Sequence, residues 1–158
     1  MKSSIKKGIA FGLTSGTITT LGLMVGLFSG THSRLVILGG VLTIAVADAF
    51  SDALGIHISE EAENQHSAKE IWESTFYTLL SKFLYALTFT IPIFFFELKT
   101  AVFISITYGL TVLTWLSFRI SKKSEFKTTN VIFEHLLIAI TVIIITYFVG
   151  DLIGKYCS

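Results

Sequence analysis

The chain is poor in residues that interrupt or crosslink a fold. Its one cysteine, Cys157, cannot close an intramolecular disulfide and leaves the redox compartment open. Its one proline, Pro92, leaves little to break long helices. Charge is also scarce. Only 15% of the 158 residues are Asp, Glu, Lys or Arg, too few to cover a soluble domain of this size. The net charge of +1 comes without a basic stripe, which argues against a nucleic-acid partner. There is no Ser/His/Asp or H-E-x-x-H spacing, no cysteine cluster and no phosphate loop, so an enzyme is the least expected class.

What the chain has instead is apolar length. Hydrophobic residues make up 52% of it, and Gly8–Thr31 and Thr100–Phe118 carry no charged residue at all. Runs of this kind cross roughly 30 Å of hydrocarbon as helices, because backbone in lipid must satisfy its own hydrogen bonds. Strand alternation is absent, which disfavours a barrel. The expected fold is an all-α polytopic membrane protein. It forms a single domain over 1–158 with five spans at about 5–28, 35–58, 72–96, 101–120 and 131–153. Lys2, Lys6 and Lys7 before the first span resemble a signal peptide. The apolar run is too long for one and no small-x-small cleavage site follows, so a retained helix is expected.

Short connections after spans one and three predict tight antiparallel hairpins, and Pro92 predicts a kink near the outer end of span three. Lys2, Lys6 and Lys7, with Arg119, Lys122, Lys123 and Lys127, outnumber Arg34, Lys99 and Lys155 on the other side. That bias predicts a cytoplasmic N-terminus and a C-terminus outside. The second connection, about 56–73, is acidic. Ser67 and Glu70 have capping-box spacing there, which predicts a helix start after a break near residues 65–67, with spans two and three extending past the cytoplasmic membrane surface.

Chemistry concentrates in span two. Asp48 and Asp52 lie four residues apart on one helical face, which Gly55, Ser59 and Glu63 continue. A carboxylate at the bilayer centre costs about 2.5–3.5 kcal/mol on insertion scales, so a pair there points to a cation path. The alternative is that both solvate the interfacial end of the helix. Oxygen-rich faces suit hard or borderline divalent ions. Glu60, Glu63, His66, Glu70 and Glu73 of the connection are candidate metal ligands of the same type, or an ordinary solvated hairpin. His57 falls nearly opposite Asp48 and is expected to be structural.

Span one carries two glycine ladders, Gly8–Gly12–Gly16 and Gly22–Gly26–Gly30, whose expected role is close helix packing. Among its hydroxyls, Ser15 and Thr19 either bond back to their own helix or line a polar path beside Asp48. Met24 is expected to be filler. Lys82 either snorkels or pairs with a carboxylate of span two. Glu134 is placed at the start of span five, where it would favour the helix dipole, and Asp151 at an interface.

The segments GLTSGTITTLGLMVGLFSG and LTIAVADAFSDALGIHISEEAE resemble the short prokaryotic branch of the vacuolar iron transporter family. The likeness extends over nearly the whole chain and is sharpest in span two. It implies a homodimer of five-helix protomers in a prokaryotic plasma membrane, exporting Fe²⁺ or Mn²⁺ from the cytoplasm against protons. The metal is substrate, no cofactor is tightly bound, and the path is lined by spans one and two at the dimer interface. The family's span-one carboxylate falls on Ser15 and its span-two methionine on Asp48, two departures, while its Gly-Glu pair falls on Ser51 and Asp52. One carboxylate has in effect moved from span one to span two. The long metal-binding insertion of larger members is missing, with Glu60, Glu61, Glu63, Glu70 and Glu73 its only counterpart. The readings that compete are a non-transporting membrane metal sensor or assembly scaffold, and a transporter of another small cation.

Overall fold

The computed structural model describes residues 2–122 and 126–157, and Lys123 of the charge reading lies outside them. The described residues form helices α1 (Ser3–Thr31), α2 (Arg34–Glu63), α3 (Ala68–Thr88), α4 (Thr90–Phe95), α5 (Leu98–Ser121) and α6 (Thr128–Tyr156), with no strand among them. Five stretches are long and apolar enough to cross a membrane, α3 and α4 together making the third, Ala68–Phe95. The protein is an all-helical integral membrane protein, as the apolar runs predict.

The observed helices are longer than the expected spans. At about 1.5 Å per residue, the 30 residues of α2 reach roughly 45 Å, well beyond a hydrocarbon core. The excess lies at the acidic end, where α2 stops at Asn64 in the left-handed conformation and Ser67 opens α3 with the predicted capping box. The helix is also interrupted one turn before Pro92, where a kink was expected. Pro92 cannot continue the helix across its own turn, and α3 gives way to α4 at Phe89. One expectation is corrected. Helix α6 begins at Thr128, with no acidic residue in its first turn. Polar Thr128, Thr129 and Asn130 carry the helix back past the apolar run, so Glu134 stands beyond reach of the helix start.

Helix α1 is the hub and packs against α2, α3, α5 and α6. Its six glycines fall within about 120° on a helical wheel, so they form one face whose partner changes with depth. In the N-terminal half, a Cβ at Gly8 would lie 2.5 Å from the Ser74 carbonyl oxygen, and one at Gly12 2.8 Å from that of Thr78. In the C-terminal half, a Cβ at Gly30 would lie 2.8 Å from the Gly150 carbonyl oxygen of α6. Both ladders therefore do what small residues do in lipid, and let backbones touch. Met24 is fully buried in the core with Leu21, Ile37, Val41 and Phe89, as filler should be.

Candidate functional site

The glycine contacts of α1 set α3 so close that Lys82 enters the space between α1 and α2. Its stem runs alongside Gly16, where a Cβ would stand in ordinary contact, 3.5 Å from Lys82 Cγ. The ammonium then lies 2.5 Å from Asp48 Oδ2, 2.5 Å from Asp52 Oδ2 and 2.8 Å from Ser15 Oγ. The contact to Asp52 is a directed hydrogen bond, whereas that to Asp48 is an ion pair without hydrogen-bond geometry. Lys82 occupies the middle of span three, 14 residues (82 − 68) from the start of α3, and Asp48 likewise stands 14 residues (48 − 34) from the start of α2. The three charges thus meet near the middle of the apolar lengths of α2 and of span three, where in lipid each alone would be costly and together they offset one another.

Of the two readings left open for Lys82, pairing is the one found. The lysine side chain is 2% exposed, against 23% for Asp48 and 20% for Asp52, so the carboxylates keep an outer edge while the ammonium does not. Ser15, where a carboxylate was expected from the family likeness, supplies a neutral oxygen to the same nitrogen. Thr19 bonds back to the Ser15 carbonyl. It also faces an apolar groove of about 530 Å³ between α1, α2 and α6, with Gly22, Gly26, Ile44 and Val142. Ser59 and Gly55, placed by spacing on the aspartate face, are exposed on the outside of α2, with nothing near a Cβ at Gly55.

The acidic hairpin does not converge on one point. Glu60 is 1% exposed, accepts a hydrogen bond from Ser74 Oγ at 2.7 Å and pairs with Lys7 at 3.1 Å. Glu63 is exposed and lies 3.4 Å from His66 and 3.9 Å from Lys7. Glu70 is occupied by the capping box. Glu73 accepts from Lys2 at 2.6 Å and from Ser4 at 2.8 Å. The hydrogen bond to Glu73 and its negative charge hold the Lys2 ammonium above the usual lysine range. Among the described residues no group of three or more His, Cys, Asp and Glu side chains is arranged to hold a metal. His57 is structural, as expected: its ring meets Thr75 Oγ1 at 2.9 Å and packs edge-on against Trp72.

Residues to which sequence patterns assigned no pairing do the joining. Lys7 and Ser74 fix Glu60, and Lys2 and Ser4 fix Glu73, so the start of α1 is strapped to the α2–α3 hairpin. Lysines at an N-terminus read equally well as topology signals, which is why their pairing was not visible beforehand. The model of the VIT family matches residues 7–73. That stretch holds Ser15, Asp48, Asp52 and the acidic hairpin, and stops short of Lys82. Comparison with curated proteins gives no match.

Proposed function

We propose, from the match of the VIT family model to residues 7–73, that this chain carries a divalent metal cation across the bilayer. The cargo is Fe²⁺ or Mn²⁺, exported from the cytoplasm in exchange for protons. The single observation that carries the reading is the pair Asp48 and Asp52, held near the middle of the apolar length of α2 within the matched segment and facing Ser15 of α1. Intramembrane carboxylates mark ion pathways, and oxygen donors suit these ions. Binding a dication favours ionised carboxylates, so ion entry and proton release are linked at such a pair. The acidic hairpin would raise local cation concentration at the cytoplasmic mouth by its field, and Glu63, His66, Glu70 and Glu73 would meet ions there first.

The orientation follows the lysine and arginine bias, with the N-terminus and the α2–α3 hairpin cytoplasmic and the C-terminus outside. A second copy of the chain completes the path. Support comes from α2, whose exposed side bears Gly39, Thr43, Ala47, Ser51, Gly55 and Ser59 at four-residue spacing, a stripe suited to a close crossing of two helices.

The test is flux into proteoliposomes with Fe²⁺, Mn²⁺, Co²⁺, Ni²⁺, Zn²⁺ and Ca²⁺, with and without a proton gradient. Saturable flux of Fe²⁺ or Mn²⁺, abolished by Asp48→Asn in folded protein, is the expected result. Full flux in that variant would sink the path. The ion pair with Lys82 favours a second reading, a non-transporting membrane scaffold or sensor whose aspartates serve only to seat a lysine. It predicts no flux of any ion from folded protein.

A further inference from the structure

Lys82 stands where a coordinated cation would stand. Its ammonium carries three N–H donors, and three oxygens from two other helices surround it: one each from Asp48, Asp52 and Ser15. Its stem is packed along Gly16, and a Cβ at Gly12 would lie 3.1 Å from the Lys82 backbone nitrogen, so the same glycines that join α1 to α3 deliver the charge to the aspartates. The side chain is essentially closed to the outside, whereas each carboxylate retains about a fifth of its surface. Two carboxylates and one ammonium sum to −1, so the cluster is short of neutral by one charge.

We infer that the Lys82 ammonium is a built-in cation occupying the ion position of this path, displaced by the transported ion, and that it sets which ions can enter. The inference rests on the reading of Asp48 and Asp52 as the cation path. A tethered cation competes at high effective concentration, because it never diffuses away. Replacing the ammonium by Na⁺ or K⁺ exchanges one positive charge for another and gains no electrostatic energy against the two carboxylates. Replacing it by a dication gains the attraction of one further charge, in a setting where charges act strongly. Lys82 therefore excludes abundant monovalent ions and admits a dication at reduced affinity. Its long, flexible stem allows the head to swing aside without moving α3.

The experiment is equilibrium Mn²⁺ binding to purified protein in nanodiscs, read from the loss of the free Mn²⁺ electron paramagnetic resonance signal. Lys82→Met is expected to bind Mn²⁺ roughly tenfold or more tighter than the native chain, and to become sensitive to added Na⁺. Adding Asp48→Asn to Lys82→Met should abolish the gain, which separates this position from ions held at the acidic hairpin. Equal or weaker Mn²⁺ binding by Lys82→Met would overturn the inference, as would a gain that survives Asp48→Asn. If Lys82→Met does not fold, Ser15→Asp decides the matter. It keeps the lysine and adds a carboxylate at the third oxygen position, and roughly tenfold tighter Mn²⁺ binding is again expected. Unchanged affinity in that variant counts against displacement. Because these readouts are equilibrium binding, absent flux in the native chain would refute transport, whereas displacement is decided by the binding alone.

Discussion

The guanidinium of Arg34, in the first turn of α2, donates to the carbonyl of Ile93 at 2.6 Å and to that of Phe96 at 2.8 Å. These are carbonyls at the end of the short helix created by Pro92, where no further turn exists to use them. A fork of two donors matches two neighbouring carbonyls in a way that a single ammonium cannot. Arg34 thus ties the α1–α2 hairpin to the broken end of span three, on the side opposite the acidic hairpin.

Arg34→Ala should therefore lower stability by about 1.5–3 kcal/mol, the usual range for hydrogen bonds to a charged group. Arg34→Lys should recover only part of that loss, since one point charge replaces a planar fork. Thermal unfolding of the two variants in one detergent checks both statements. Equal melting of the lysine variant and the native chain would mean that the charge matters and the fork does not.

The charge cluster predicts an asymmetry between its members. Removing Lys82 as Lys82→Met leaves two partly buried carboxylates without a counter-charge and should cost up to about 3–5 kcal/mol, the range for a broken buried pair. Asp52→Asn leaves one aspartate paired with one lysine, a locally neutral cluster, and should cost clearly less. Chemical denaturation in the presence of a chelator measures the difference. Equal losses would show that packing, not charge balance, governs this region.

The glycines divide into two classes. Gly30→Ala would push a Cβ into the backbone of Gly150, and overpacking of that kind costs roughly 1–3 kcal/mol. Gly39→Ala meets nothing within 4 Å and should leave the single chain as stable or slightly more so. Gly39→Leu tests the proposed second copy: dimer content measured by crosslinking or mass photometry should fall while the fold stays intact.

A pH dependence follows for the strap at the start of α1. The Lys2 pKa is raised, first by its hydrogen bond to Glu73 and then by the charge of that group. A group whose folded pKa lies above its unfolded value contributes stability below the unfolded value and loses it as pH rises through the folded one. The strap should therefore hold through neutral pH and loosen in strongly alkaline buffer, while the lowered pKa of Glu73 makes it loosen in strong acid as well. Hydrogen exchange of the first turns of α1, compared with Lys2→Gln, provides the measure. Loosening of the native chain already at pH 8 would contradict it.

Much of the fold is written in local pattern. The five spans follow from length and apolarity, the break before α3 from Ser67 and Glu70, and the interruption of span three from Pro92, because each depends on residues within one or two turns. Asp48 and Asp52 were legible as anomalies for the same reason. Their pairing with Lys82 was open, since 34 and 30 residues separate them and the outcome depends on how α3 is rotated about its axis. That rotation is fixed by contacts at Gly8, Gly12 and Gly16 with α3, which no spacing rule specifies. The glycine ladders signalled close packing but not that one would meet α3 and the other α6. Likewise, the acidic hairpin reads in sequence as one cluster, yet its glutamates are distributed among Lys2, Lys7, Ser67 and Ser74, partners remote in the chain or serving a cap.

The hub position of α1 carries a consequence for synthesis. Helix α1 is made before the helices that its small-residue face needs, and its C-terminal half is covered by α6, the last of the described helices to emerge. Until then Gly22, Gly26 and Gly30 face lipid or whatever other helix is at hand. The nascent chain therefore presents an adhesive seam for most of its translation, and a ribosome stalled before α6 would release a protein prone to pairing with the wrong neighbour.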